Sequence, residues 1–234
     1  MKLSKSKINT YLKCPFEFKL KYIDEIVAEP NKYMIFGRNI HSVAERFCEK
    51  FGDDVGDINI ENELSKIVYE LNLDDLNQHV NNLALFFEDV YINRDYKLFS
   101  FEEELYDDEN RFSGICDIIL QDENEELIIV DYKTTNSRNF SKYRLELCYY
   151  KLLVENVLNK KVSKVGIFFT ENGRLRLLDV GDVDYKYKYL TTQEITEAIR
   201  IFHEVRENVN NEVFPLKKQY LCRLCIYEDF CRSI

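Results

Sequence analysis

Residues 126–135 read "ELIIVDYKTT", four aliphatic residues that run straight into charge. A short apolar run bounded by polar residues is the pattern of a strand buried in a sheet. Side chains alternate along a strand, so Asp131 and Lys133 share one face and Tyr132 takes the other. The chain must therefore hold an acid and an amine side by side at the end of a core strand. By itself this spacing describes an ordinary ion pair as well as it describes a reactive site. A preceding apolar stretch, "SGICDII", carries Asp117 among aliphatic neighbours. If the two strands are neighbours, Asp117 and Asp131 converge on one hard cation, and oxygen ligands suit Mg²⁺ or Mn²⁺. Such a metal would activate water and polarise a phosphate, while Lys133 orients the water or offsets developing charge.

The rest of the pattern places these strands in a mixed α/β core with helices on its faces. Residues 4–22 read as helical, with Ser4 or Ser6 as cap and Pro15 marking a break or restart. A helix near 34–51 carries Ile40, Val43, Ala44, Phe47 and Phe51 at helical spacing. Two more are expected over 60–72 and 74–95, separated by Asp74–Asp75 as a capping position. "LFSFEEELY" alternates as a strand, and "QDENEE" between the next two strands suits a turn. Residues 140–158 return to helix, "KVGIFF" and "RLRLLDV" are strands, and 191–211 is a helix capped by Thr191 or Thr192. We expect one domain over 1–234. Within it 53–96 is an acidic helical insertion and 97–190 the core.

The net charge of −10 argues against a nucleic-acid binder until it is mapped. Residues 53–126 hold 22 Asp and Glu against 4 Lys and Arg, a net of −18, which leaves +8 on the remainder. The first 23 residues carry Lys2, Lys5, Lys7, Lys13, Lys19 and Lys21 against Glu17 alone. Local field rather than total charge steers a polyanion, so Lys5, Lys7 and Lys13 are candidate DNA contacts, or else the solvated face of a basic helix. No apolar run approaches the roughly 20 residues that cross a membrane, and the basic start lacks an apolar signal segment. The expectation is a soluble cytoplasmic protein with no membrane partner.

Two further segments carry polar groups at useful spacing. "FGRNIHSVAE" sets His41 one turn after Gly37, able to offer an imidazole to the same metal or to serve as a structural histidine. "LELCYYKLL" puts Glu146 and Tyr150 four apart on one helix face, within reach of the site or of DNA. Seven cysteines are an odd number for a disulfide framework, and three close the chain as C-x2-C-x5-C: Cys222, Cys225 and Cys231. Three thiolates make an incomplete four-coordinate site. Cys48, Cys116 and Cys148 lie in apolar patterns and read as core residues. Cys14 precedes Pro15 at the helix break, where a thiolate can be presented.

Taken in order, "YLKCPFEFKLKYI", "FGRNIHSVAE", "SGICDII", "IIVDYKTT", "LELCYYKLL" and the cysteine tail resemble the RecB-like branch of the PD-(D/E)XK nucleases. The resemblance runs from Tyr11 to Cys231 and is strongest to the iron–sulfur members, the CRISPR-associated Cas-four exonucleases and the nuclease domain of AddB helicase–nucleases. The compact length favours the Cas-four type. It implies a restriction-endonuclease-like core with an N-terminal helical lobe and an iron–sulfur clasp, formed by 1–23 with 212–234, that joins the two termini. It implies that His41, Asp117 and Asp131 bind Mg²⁺ or Mn²⁺, with the Tyr132 carbonyl as a further ligand, and that Lys133 is the catalytic lysine. Tyr150 matches the tyrosine of the family's Gln-x3-Tyr motif as a catalytic and DNA-contacting residue, and Glu146 stands where Gln is usual. Cys14, Cys222, Cys225 and Cys231 would hold a 4Fe–4S cluster, although four thiolates equally describe a zinc site. The activity implied is trimming of single-stranded DNA ends alongside the CRISPR integrase proteins. A stand-alone repair or mobile-element nuclease, and a weakly catalytic DNA-binding adaptor stapled by a metal, are the alternatives.

Overall fold

The computed structural model describes residues 1–27, 29–182 and 188–232. A two-residue strand, β1 (Leu3–Ser4), leads into helices α1 (Lys5–Lys13) and α2 (Pro15–Tyr22). Helices α3 (Lys32–Phe51), α4 (Ile60–Glu70) and α5 (Asn77–Phe87) follow. Then come strands β2 (Lys97–Asp107), β3 (Phe112–Gln121) and β4 (Leu127–Lys133), and helix α6 (Arg144–Leu158). Strands β5 (Val162–Phe169), β6 (Arg174–Val180) and β7 (Tyr189–Leu190), helix α7 (Thr192–Asn210) and the short α8 (Glu228–Arg232) complete the chain.

Local chemistry sets most of these boundaries. The Ser4 hydroxyl caps α1 by accepting from the Lys7 N–H at 3.3 Å. Cys14 is extended, and Pro15 opens α2 at the position where its missing N–H costs nothing. Asn31 and Asn59 cap α3 and α4 through their side chains. The expected helix over 74–95 is shorter and differently capped. It is α5, continued by a π-helical turn over Glu88–Asn93 that keeps Val90 and Tyr91 buried. Asp74 and Asp75 do not cap it: Leu76 precedes the helix, and Asp75 has φ 59°, a turn conformation rather than the extended one a cap needs. The two-residue strands β1 and β7 are too short to leave a periodic signal.

The sheet is mixed. β3 pairs antiparallel with β2 along one side. Its other side is shared, by β1 in parallel at Phe112 and Ser113 and by β4 antiparallel at Ile118–Gln121. β4 then pairs parallel with β5, β5 antiparallel with β6, and β6 parallel with β7. Each face buries its own core. Leu127 and Ile129 of β4 pack with residues of α1, α6 and α7, whereas Ile128, Val130 and Tyr132 pack with α3, α4 and α5. The acidic 53–96 stretch thus supplies much of the second core. Among the described residues no helix is long and apolar enough to cross a membrane.

Candidate active site

β3 and β4 pair from Gln121↔Leu127 to Ile118↔Val130 and then part. At the fork Asp117 Oδ2 accepts the Tyr132 backbone N–H at 2.6 Å, which ties the diverging strands together. Between the pairs Phe101↔Ile118 and Glu103↔Cys116 on the other side lies Glu102, with φ 42°. Helix α3 adds His41, whose Nδ1 stands 3.4 Å from Asp117 Oδ1 and 3.7 Å from Glu102 Oε1. One ligand atom from each of His41, Glu102 and Asp117 lies within 4.8 Å of the others. Burial opposes a charge on His41, but Asp117, Glu102 and Asp131 outweigh it and hold the imidazole pKa up to about 10. Groups that draw a proton so firmly also attract a divalent cation, which must displace that proton to use the nitrogen. One nitrogen and carboxylate oxygens are a donor set that fits Mg²⁺ or Mn²⁺.

Beside this trio stands a cluster of two acids and two lysines. Glu146, on α6, accepts at one oxygen from Lys133 Nζ at 2.8 Å and from Lys5 Nζ at 2.6 Å. Lys133 also pairs with Asp131, and Lys5 Nζ lies 3.5 Å from the other Asp131 oxygen. Burial alone would raise the Asp131 pKa; Lys133 and Lys5 reverse that and hold its carboxyl below the usual carboxylate range. Burial likewise disfavours charge on both lysines, yet their acidic neighbours keep them firmly protonated. The Tyr150 ring lies 5.2 Å from Lys5 Nζ, and burial pushes its phenol well above the usual range. Gly114 lets α6 sit close to β3, since a Cβ there would fall 3.0 Å from Leu153 Cδ2. A cavity of about 440 Å³ opens onto the two groups, lined by Ser4, Lys5, Glu102, Asp117 and Tyr150 among others.

A sequence profile of the PD-(D/E)XK nuclease superfamily matches residues 2–232. The chain belongs to that superfamily. The crystal structure of a protein described as a candidate exonuclease, from Eubacterium rectale, aligns over 100% of this chain and 89% of its own, with TM-score 0.58 and 12% identity. At that identity the likeness is one of fold. The crystal structure of SSO0001 aligns over 94% of each chain at 14% identity, with a TM-score of 0.39 that supports no further comparison. No curated protein matches the chain.

In this nuclease the strand alternation brings Asp131 and Lys133 together on one face, with the Tyr132 side chain turned into the opposite core. His41, Asp117, Glu146 and Tyr150 converge on the same region. Asp131 stands outside the His41–Glu102–Asp117 trio, with its oxygens facing lysines. Lys5 is placed differently from a surface DNA contact, because its side chain is only 18% exposed and paired with Glu146. Lys7 reaches the Lys2 carbonyl at 3.0 Å, and exposed Lys13 pairs with Glu17 at 2.7 Å. Glu102 escaped the sequence reading. It is one of three consecutive glutamates, and only the backbone kink distinguishes it.

Cys14, Cys222, Cys225 and Cys231 line one cavity of about 40 Å³, together with Lys13 and Glu17. Cys14 reaches it from the α1–α2 junction and the others from the C-terminal segment. Burial raises the Cys231 thiol pKa, and Cys225, Cys14 and Cys222 raise it further. All four line that one space, yet among the described residues their sulfurs do not gather within 4.8 Å of one another as the His41–Glu102–Asp117 ligand atoms do. Cys48, Cys116 and Cys148 are buried apart from it, and burial pushes the Cys48 and Cys148 thiols up to about 12.

Proposed function

We propose that the chain is a divalent-metal-dependent DNA exonuclease of the Cas-four kind, acting on single-stranded ends. The observation that carries the reading is the fork of β3 and β4, where the His41–Glu102–Asp117 trio stands beside the Asp131–Lys133 pair. In this reading His41, Glu102, Asp117 and Asp131, with the Tyr132 carbonyl, hold Mg²⁺ or Mn²⁺. When bound, the metal supplies a water of lowered pKa and positive charge for the scissile phosphate. Lys133 then directs an N–H at the attacking water or a phosphate oxygen, its ammonium held in place by Asp131 and Glu146. Tyr150 lines the cavity beneath Lys5 and would shape the space that the strand enters rather than stack on it.

Support for DNA as the substrate comes from membership in a nuclease superfamily and from the basic first 23 residues. Action at ends draws on the motif resemblance and on the exonuclease description of the Eubacterium rectale protein, which shares this fold. In the same reading Cys14, Cys222, Cys225 and Cys231, which line one cavity, hold a 4Fe–4S cluster, and the CRISPR integrase proteins are the partners that receive trimmed fragments. The test is degradation of end-labelled single-stranded DNA with Mn²⁺, set against an EDTA control. Progressive shortening that EDTA stops is the expected result. Intact DNA with Mn²⁺ would sink the nuclease reading, and cutting of circular single-stranded DNA would replace end-trimming with internal cleavage.

A further inference from the structure

Lys5 is the first residue of α1, a poor place for a positive charge, since helix N-termini favour anions. Its side chain nevertheless enters the sheet. Between the β1 contact at Phe112–Ser113 and the β4 contact at Ile118–Gln121, that side of β3 carries no strand among the described residues. Lys5 lines the cavity there with Gly114, Ile115 and Asp117. Its ammonium ends 2.6 Å from Glu146 Oε1, the same oxygen that accepts from Lys133 at 2.8 Å.

We propose that Lys5 is a positioning residue of the active site, acting through Glu146 to keep Lys133 beside Asp131. The inference rests on the nuclease reading of Lys133. Two lysines and two carboxylates balance in this mostly buried cluster. Without Lys5 the cluster carries one surplus negative charge. Glu146 then has Lys133 as its sole partner of the two and draws it away from Asp131. A neutral residue at 146 has no such pull, so the need for Lys5 is created by the carboxylate on α6. This makes a sharp distinction from a lysine that grips DNA: the effect of removing Lys5 depends on what stands at 146.

The experiment compares wild type, Lys5→Met, Lys5→Arg, Glu146→Gln and the Lys5→Met/Glu146→Gln double variant on single-stranded DNA with Mn²⁺. Lys5→Met lowers kcat about tenfold or more while KM changes less than about twofold, because an interaction made for the reacting geometry is lost rather than DNA affinity. Lys5→Arg recovers part of the loss. In the Glu146→Gln background the same Lys5 change is nearly silent, a coupling of the kind that contacting charged groups show. A rise in KM that persists unchanged with Gln at 146 would make Lys5 a DNA contact and overturn the proposal. If Lys5→Met alone does not fold, the double variant against Glu146→Gln carries the comparison: equal kcat supports the proposal, and a further tenfold loss or failure to fold refutes it. Wild-type protein that does not cleave DNA refutes the nuclease reading instead. Thermal unfolding of the same variants then decides the charge sharing: a Tm loss on Lys5→Met that Glu146→Gln removes supports it, and additive losses overturn it.

Discussion

Helix α1 has two unlike ends. At its start Lys5 meets Asp131, Glu146 and, through Glu146, Lys133, groups carried by a core strand and a fifteen-residue helix. Just past its finish Cys14 lines one cavity with Cys222, Cys225 and Cys231, residues of the segment that holds a 3₁₀ turn over Tyr220–Leu224 and a five-residue helix. The first group is charge-balanced and hydrogen-bonded by its own members, on elements that the sheet holds in place. The second sets Cys14 of the α1–α2 junction opposite three cysteines on a segment with little regular structure to fix it. The fold positions the lysine–carboxylate cluster, whereas a bound metal at the cysteines would help to position the fold. Each end is therefore expected to fail in its own way.

The largest effect belongs to the first end. Asp131→Ala and Lys133→Ala each lower cleavage by about 10²–10⁴-fold, the range seen when a positioned proton-transfer or charge-stabilising group is lost. DNA binding, followed by fluorescence anisotropy, stays close to wild type because the outward basic residues Lys7 and Lys13 are untouched. Wild-type turnover in either variant would break the assignment of this end as the reactive one.

Next in size is the cysteine end. Cys14 and Cys222 are 208 positions apart, so ligation of both to one metal group closes nearly the whole chain. On the loop-entropy scale of disulfides that constraint is worth about 5 kcal/mol at most, and metal binding is coupled to folding of the site. Cys14→Ser is expected to lose its bound metal and fall in thermal stability. Cys48→Ser, changed in a buried core far from the cavity, keeps its metal. Protein purified without oxygen should carry about four irons per chain if the group is a 4Fe–4S cluster. Zinc in place of iron would change the metal and leave the contrast between the two ends intact. Full metal and full stability in Cys14→Ser would erase the contrast.

The two ends also differ in how much of them the residues disclose in advance. Asp131 and Lys133 are legible because a strand has period 2, and an acid and a lysine two apart must share a face. Pro15 marks the α1–α2 break because proline fits only the first turn of a helix. Glu102 is not legible, since its role depends on a φ of 42° inside β2 that its glutamate neighbours do not announce. Nor is Lys5, which reads as one of several surface lysines. Its inward course depends on β1 and β4 sharing one side of β3 with a gap between them, a long-range arrangement with no local pattern. Asp74–Asp75 shows the reverse error, where good capping residues are used in a turn instead.

The smallest effect tests the connection between the ends that does not run through α1. Arg144 opens α6 two residues before Glu146, and Glu194 sits in the first turn of α7, the helix that leads toward the cysteine segment. Arg144 Nε and Nη2 donate to the two Glu194 oxygens at 2.5 and 2.7 Å, and Thr191 completes a capping box with the same glutamate. Burial raises the Glu194 pKa, but Arg144 and Thr191 outweigh it and bring the value down to about 2. The folded pKa lies below the ordinary 4.5, so the stabilisation is fully present above pH 4.5 and is lost as the pH falls toward 2. Partial exposure limits its size, and Glu194→Gln should cost about 1 kcal/mol at pH 7. Urea unfolding of the two proteins from pH 7 down to pH 2 should show that difference shrinking below pH 4.5. A difference that stays constant with pH would assign the effect to cap geometry rather than charge. Cleavage and metal content should hold within about twofold, because neither Arg144 nor Glu194 lines the cavity at the fork or the cavity of the cysteines. A large loss of either would mean that the α6–α7 contact, and not α1 alone, couples the active site to the cysteines.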